Sequence, residues 1–227
     1  MRQSGLSSVA EIPPRSRSPF WLRSFKPNTP NRVTSRFGTI LLAAGLSSRF
    51  TRGDKLLHPW RGRPLLSWAV ETLCALPLAV RIAVIGPAED AKRRLLEAAG
   101  FTCVINSQPV DGMGSSIAIG ARALPDGLDG VFVVLGDMPA VHSEDFGRLI
   151  AAFENDPSCT VAAPMYQDQR GHPVLFRALH LPALRVLSGD HGARTVLQAA
   201  AATTRLVPVA HGGVLRDFDT VEAFEAH

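Results

Sequence analysis

Cysteine is scarce in this chain: Cys74, Cys103 and Cys159 are the only three in 227 residues, and they are scattered. No metal-ligand spacing links them, which excludes a zinc ribbon or a disulfide-stapled scaffold. Three reduced thiols in a cytoplasmic protein are expected instead. No apolar run reaches the roughly 18 residues of a membrane helix, so no membrane partner is expected. Two common phosphate-binding signatures are also missing. There is no G-x-x-x-x-G-K-[ST] and no G-x-G-x-x-G, which excludes the usual phosphate loop and the dinucleotide fingerprint. No Ser-His-Asp or Cys-His nucleophile pattern is found, and no internal repeat.

Positive charge is abundant only at one end. The formal charge is +4, but residues 1–36 hold Arg2, Arg15, Arg17, Arg23, Lys26, Arg32 and Arg36 against Glu11, a net +6 that leaves the remainder at −2. A nucleic-acid partner is therefore not expected, since a basic folded surface is what would mark one. Residues 1–36 are rich in Ser, Pro and Arg without an amphipathic period, and are expected to be a disordered basic tail. A transit peptide or a start placed too early are both open readings of it.

From residue 37 onward, apolar runs alternate with helical patterns. Strands are expected over Thr39–Ala44, Arg81–Ile85, Thr102–Ile105, Gly130–Leu135 and Thr160–Pro164. Helices are expected over Glu89–Ala99, Ser115–Ala123 and Ser143–Phe153. The stretch GVFVVL at 130–135 reads as a strand buried on both faces. This βαβα rhythm predicts an α/β protein of three layers around a mostly parallel central sheet. After Pro164 the rhythm loosens. His172–Phe176 reads as a small antiparallel excursion, Thr195–Ala202 as a helix, and Thr204–Val209 as a returning strand. In the helix over 89–99, Ala91, Leu95, Leu96 and Ala98 are expected on the packed side.

The first strand runs into a loop of small and basic residues: Gly45, Ser47, Ser48, Arg49, Arg52, Gly53 and Lys55. Small residues let backbone N–H groups approach phosphate oxygens, and Arg and Lys neutralise the charge. A nucleoside triphosphate site is the reading. Lys55 is a compact cation suited to the α-phosphate, and Arg49 a fork for the β- and γ-phosphates. Asp137 closes the strand 130–135, at the end of a sheet where α/β proteins hold ligands, and suits Mg²⁺. Asp217 and Asp219 point to one face of a short extended segment. Asp217 is the preferred second metal ligand, with Asp219 open either as that ligand or as the cap of a last helix. Ser115 or Ser116 suits a helix N-cap. His172 reads either as structural or as facing ligand, and Arg194 either faces an anion or pairs with Asp190.

Six blocks in order resemble one family. They are LAAG-x-S-x-R over 42–49 with Lys55, Gly112-Met113-Gly114-Ser115-Ser116, Leu135-Gly136-Asp137-Met138-Pro139, Gly171-His172-Pro173-Val174-Leu175-Phe176, Gly189-Asp190-His191-Gly192-Ala193-Arg194 and Asp217-Phe218-Asp219-Thr220. Together they resemble the MobA-like nucleotidyltransferases, most of all the molybdenum cofactor cytidylyltransferase branch. The resemblance implies a Rossmann-like nucleotidyltransferase fold forming a single domain over 37–227. It implies nucleotide binding by Leu42, Ala43, Ala44, Gly45, Ser47, Gly112, Met113, Ser115 and Ser116, with an Asp from each of two blocks on Mg²⁺. His172, Asp190 and Arg194 fall on the acceptor side. Ala44, where guanylyl-transferring relatives carry Gly, points to CTP. The implied reaction passes CMP from CTP to a molybdopterin-type acceptor, for delivery to a molybdenum hydroxylase or its maturation factor. GTP or a sugar or alcohol phosphate acceptor stays open, as does a non-catalytic nucleotide sensor or chaperone. Thr51-Arg52-Gly53 lengthens the run to Lys55 relative to the family's compact loop.

Overall fold

The computed structural model describes residues 36–45 and 50–225, so the expected tail and the loop residues Ser47 and Arg49 lie outside the described residues. Strand β1 (Phe37–Leu42) runs at the centre of the sheet. A two-residue hairpin, β2 (Pro59–Trp60) with β3 (Arg63–Pro64), leads into α1 (Leu66–Cys74). Then follow β4 (Val80–Ile85), α2 (Asp90–Ala98), β5 (Thr102–Ile105), α3 (Met113–Arg122), β6 (Gly130–Leu135) and α4 (Ser143–Asn155). The last third adds β7 (Val161–Tyr166), β8 (Gln169–Arg170), β9 (Val174–Arg177), α5 (Leu181–Leu184), α6 (Arg194–Ala199), β10 (Thr204–Pro208) and α7 (Val221–Glu225).

The main sheet has the order β10-β7-β9-β6-β1-β4-β5, with β8 paired to β7. β1 is parallel to both β4 and β6, β4 to β5, and β7 to β10. Only β8 and β9 run against the rest. Alternate residues of each central strand feed two cores. Leu41, Ala83, Ile85, Phe132 and Val134 pack with Leu66 and Leu73 of α1, Leu96 of α2, and Phe146 and Phe153 of α4. Ile40, Ile82, Val84, Val131 and Val133 pack on the other face with Ile117 and Ala121 of α3, Leu184 of α5 and Leu197 of α6. That period of two, buried on both sides, is why these strands read as unbroken apolar runs. The three-layer, mostly parallel α/β architecture is as expected.

Four local expectations change. β1 ends at Leu42, so Ala43 to Gly45 already belong to the loop. His172–Phe176 is not an excursion: the strand proper begins at Val174, after a cis His172–Pro173 peptide, and inserts between β6 and β7 of the main sheet. On α2, Ala91 and Ala98 are exposed and the buried pair is Lys92 and Leu96, one helical turn apart. The cap of α3 is Gly112, at φ 87°, not Ser115 or Ser116. A left-handed φ favours glycine, and it lets the chain turn into the helix without a side-chain cap.

Candidate active site

After β5 the chain crosses back over β1 to form β6, so the strand order reverses between β1 and β6. In open α/β sheets ligands sit outside the carboxyl ends of the strands at such a switch point. Here those ends are Leu42 and Leu135, and the two following loops are joined by the Gly136 N–H donating to the Leu42 carbonyl at 3.0 Å. A cavity of about 460 Å³ opens there. Leu42, Ala44, Gly45, Lys55, Gly112, Met113, Ser116, Asp137, Asp190, Asp217 and Asp219 all line it. Residues far apart in the chain, singled out from sequence, thus share one wall.

Lys55 is the electrostatic centre. Its ammonium stands 2.6 Å from Asp137 Oδ2 and 2.5 Å from Asp219 Oδ1. Burial alone would lower its pKa, but the charges and hydrogen bonds of Asp137 and Asp219 outweigh burial and raise it. The side chain is therefore a full cation at neutral pH, so it offers charge and hydrogen bonds rather than a base. Asp217 is pushed the other way. Burial, then the Asp219 and Asp137 carboxylates, raise its pKa. Three carboxylates share one small region with the Lys55 cation.

The segment carrying Asp217 and Asp219 is fixed by backbone contacts. The Phe218 N–H donates to the Asp137 carbonyl at 3.1 Å, and Phe218 itself is buried against Trp60 and Phe224. Alternation then turns both flanking carboxylates into the cavity, as expected. Upstream, the His172 N–H donates to the Val214 carbonyl at 2.9 Å, so the Gly171-His172-Pro173 block seats the start of this segment. His172 does not line the cavity. Burial, with the Arg170 charge, lowers its pKa to about 4, against the opposing effect of Asp137, and its Nδ1 has no partner.

The Gly112 to Ser116 block lies across the cavity. The Gly114 N–H donates to the Gly189 carbonyl at 2.8 Å, and a Cβ at Gly114 would come 2.6 Å from the Ser188 carbonyl oxygen. The two glycine blocks are thus docked on each other, which places Asp190 at the cavity wall. Ser116 faces the cavity, while Ser115 donates to the Gly112 carbonyl at 2.8 Å. Asn106, missed from sequence, donates to both hydroxyls at 2.9 and 3.0 Å and so sets their direction. Arg194 is not at this cavity, and among the described residues it makes no ion pair with Asp190. It lines a second, open cavity of about 590 Å³ with Arg170, Leu197 and Leu206. Ala43 is fully buried and contributes its carbonyl inward, to the ammonium of Lys92 at 2.9 Å.

An oxygen-only set of carboxylates suits a hard divalent cation such as Mg²⁺ or Mn²⁺. Among the described residues, no three His, Cys, Asp or Glu side chains form a ready metal group. The Lys55 ammonium stands between Asp137 and Asp219 and pairs with both. The carboxylate oxygens suit such a cation in chemistry, with Lys55 as the competing charge.

A mostly parallel sheet with a cavity at its switch point, a buried Lys and converging carboxylates define a nucleotidyl-transferring enzyme. Residues 39–205 match the family described as the MobA-like NTP transferase domain, and the chain belongs to that family. Its relatives differ in what they are called. Nicotine blue oxidoreductase of Paenarthrobacter nicotinovorans is 31% identical over 188 residues, covering 81% of this chain and 92% of that protein. The bifunctional protein GlmU of Solibacter usitatus is 34% identical over 142 residues, covering 61% of this chain but only 30% of that longer protein. Among solved structures, Rv0371c of Mycobacterium tuberculosis superposes with a TM-score of 0.72 at 23% identity, over 85% of this chain and 96% of that one. A manganese complex of Rv0371c superposes with a TM-score of 0.70 at 22% identity, over 85% and 97% of the two chains. Among the described residues, no helix is long and apolar enough to cross a membrane.

Proposed function

We propose that this enzyme transfers CMP from CTP to the terminal phosphate of a molybdopterin-type acceptor and releases pyrophosphate. The observation that carries the reading is the Lys55 ammonium held between Asp137 and Asp219 at the mouth of the β1/β6 cavity. An acceptor phosphate oxygen attacks the α-phosphorus of CTP in line. The new P–O bond forms as the bond to the bridging oxygen breaks, and pyrophosphate leaves with that electron pair. No protein nucleophile is needed. Lys55, protonated throughout, stabilises charge on the α-phosphate oxygens, and the loop and α3 hold the nucleotide in place.

Asp137 and Asp219, with Asp217 beside them, would hold the divalent cation. When bound, Mg²⁺ supplies charge neutralisation along the triphosphate. The manganese bound by Rv0371c supports this assignment for a protein of the same fold. Ala44, 4% exposed at the cavity wall, supports a pyrimidine, since its methyl narrows the space a purine would need. The loop over 189–194 carries Asp190 at one cavity and Arg194 at the other, and supports an anionic acceptor approaching over that loop toward Arg194 and Arg170.

The test is pyrophosphate release from purified protein given CTP or GTP with the pterin acceptor. CTP should be used at least tenfold better, about 1.4 kcal/mol. Equal use would remove the cytidylyl assignment, and binding without release would favour a sensor. A second reading, an oxidoreductase, is suggested by the name of one relative, and oxidation or reduction of an added substrate by the same preparation would support it.

A further inference from the structure

We propose that Lys92 is a positioning residue of this site: its buried ammonium ties together the two ends of the nucleotide loop, Ala43 and Asp54, and thereby sets where Lys55 stands. Lys92 is 1% exposed, although it opens the sequence KRR, whose third residue, Arg94, is exposed. An ammonium has three donors, and three acceptors surround this one. They are the Ala43 carbonyl at 2.9 Å, Asp54 Oδ2 at 3.0 Å and Glu89 Oε1 at 2.6 Å. Each acceptor is itself anchored. The Ala43 N–H donates to the Val84 carbonyl at 2.8 Å, and Glu89 Oε2 accepts from the Gly86 N–H at 2.7 Å. Asp54 Oδ1 accepts from the Leu56 N–H at 3.0 Å, and the Asp54 carbonyl accepts from the Leu57 and His58 N–H groups.

The carboxyl ends of β1 and β4, the start of α2 and the turn beginning at Asp54 therefore meet at one cation. Lys55 is the next residue after Asp54, so its backbone position follows from that knot. Stability does not account for the arrangement. A buried ion pair contributes little or nothing over a well-packed apolar side chain, whereas its geometry is strict. What a buried Lys supplies and a Met would not is a fixed distance between Ala43 and Asp54, the residue before Lys55.

The inference rests on the nucleotidyl-transfer reading for its consequence, but not for its geometry, and the experiment separates the two. Lys92→Met keeps an unbranched chain without charge. Asp54→Asn keeps an acceptor for the Leu56 N–H and removes the ion pair. Both variants and the Lys92→Met/Asp54→Asn double variant are compared with wild type. The first measurement is hydrogen exchange at the amides of Leu56, Leu57 and His58, with strands β4 and β6 as internal reference. Exchange should quicken roughly tenfold at 56–58 and not in the strands. The second is the affinity for CTP with Mg²⁺ by calorimetry, which should weaken several-fold. In turnover, kcat should fall roughly tenfold while KM for the pterin acceptor stays within about twofold, a split that general loosening of the fold would not give. The double variant should be no worse than the poorer single one, because both substitutions cut the same link. Unchanged exchange at 56–58, or effects of the two substitutions that simply multiply, would overturn the proposal. If Lys92→Met fails to fold, because Asp54 and Glu89 are left as unpaired charges, Asp54→Asn and Lys92→Met/Asp54→Asn/Glu89→Gln decide it by the same exchange criterion. Wild type that binds no nucleotide would defeat the proposed function, while exchange at 56–58 would still decide the positioning claim.

Discussion

Replacing Lys55 with Ala should affect chemistry and stability in ways that metal ions separate. Loss of one charge-stabilising donor at the transition state costs about 3–4 kcal/mol, which is about 10²–10³ in rate. The structural cost follows from the carboxylates left behind. Oxygens of Asp137 and Asp219 lying 2.6 and 2.5 Å from one ammonium are close neighbours. Their separation is at most about 5 Å, and at an effective dielectric of 20 their repulsion is about 3 kcal/mol. Both side chains retain some solvent, 17% and 23% exposed, so screening brings this down. A loss of about 2 kcal/mol, or about 4–8 °C in Tm for a domain of this size, is expected in EDTA. Mg²⁺ or Mn²⁺ should restore the Tm, and should raise it by more in Lys55→Ala than in wild type, since no ammonium competes for the carboxylates. Turnover should stay low in the same buffer. Thermal melts with EDTA, Mg²⁺ and Mn²⁺, alongside single-turnover pyrophosphate release, read both effects. A variant with unaltered Tm in EDTA, no added response to metal and near-normal release would refute the reasoning.

Asp137→Asn should abolish metal-dependent pyrophosphate release with Tm within a few degrees of wild type, because Asp219 still pairs with Lys55; a collapsed Tm would make Asp137 a structural turn residue instead. Ala44→Gly should reduce the CTP-over-GTP preference in a competition assay, and an unchanged preference would place base selection elsewhere. His172, held neutral with its pKa lowered to about 4, resists a proton that the unfolded chain takes up near pH 6.5. Stability should therefore fall as pH drops from about 6.5 to about 4, by on the order of 3 kcal/mol, and His172→Gln should flatten that slope in denaturant titrations.

Much of the site was legible because its parts are local motifs. The loop after β1 suggests an anion through its small and basic residues, and Asp137 sits at a strand end that the apolar run 130–135 marks plainly. The two-residue spacing of Asp217 and Asp219 puts both on one face once the segment is extended. The reading stopped where side chains depend on partners distant in sequence. Sequence preferred Asp217 over Asp219 as a metal ligand and gave no sign that Asp219 would pair with Lys55, a contact that depends on Phe218 packing against Trp60 of a hairpin that the sequence pattern did not reveal. Asn106 gave no motif at all. It matters because it donates to Ser115 and Ser116 across the mouth of α3.

From sequence alone, the alternation of strand and helix determined a layered α/β protein, because a period of two and a period of 3.6 each demand their own kind of packing. The sequence also held the small and basic residues of the loop on which the proposed phosphate site rests. Tertiary structure decided the rest. It inserted β9 antiparallel between β6 and β7, moved Arg194 to a separate cavity, and turned Lys92 from one charge among KRR into a buried anchor. Each of these depends on long-range pairing or on acceptors contributed by other segments. Burying an ammonium is unfavourable unless Ala43, Asp54 and Glu89 converge on it, and only the folded chain brings those three together.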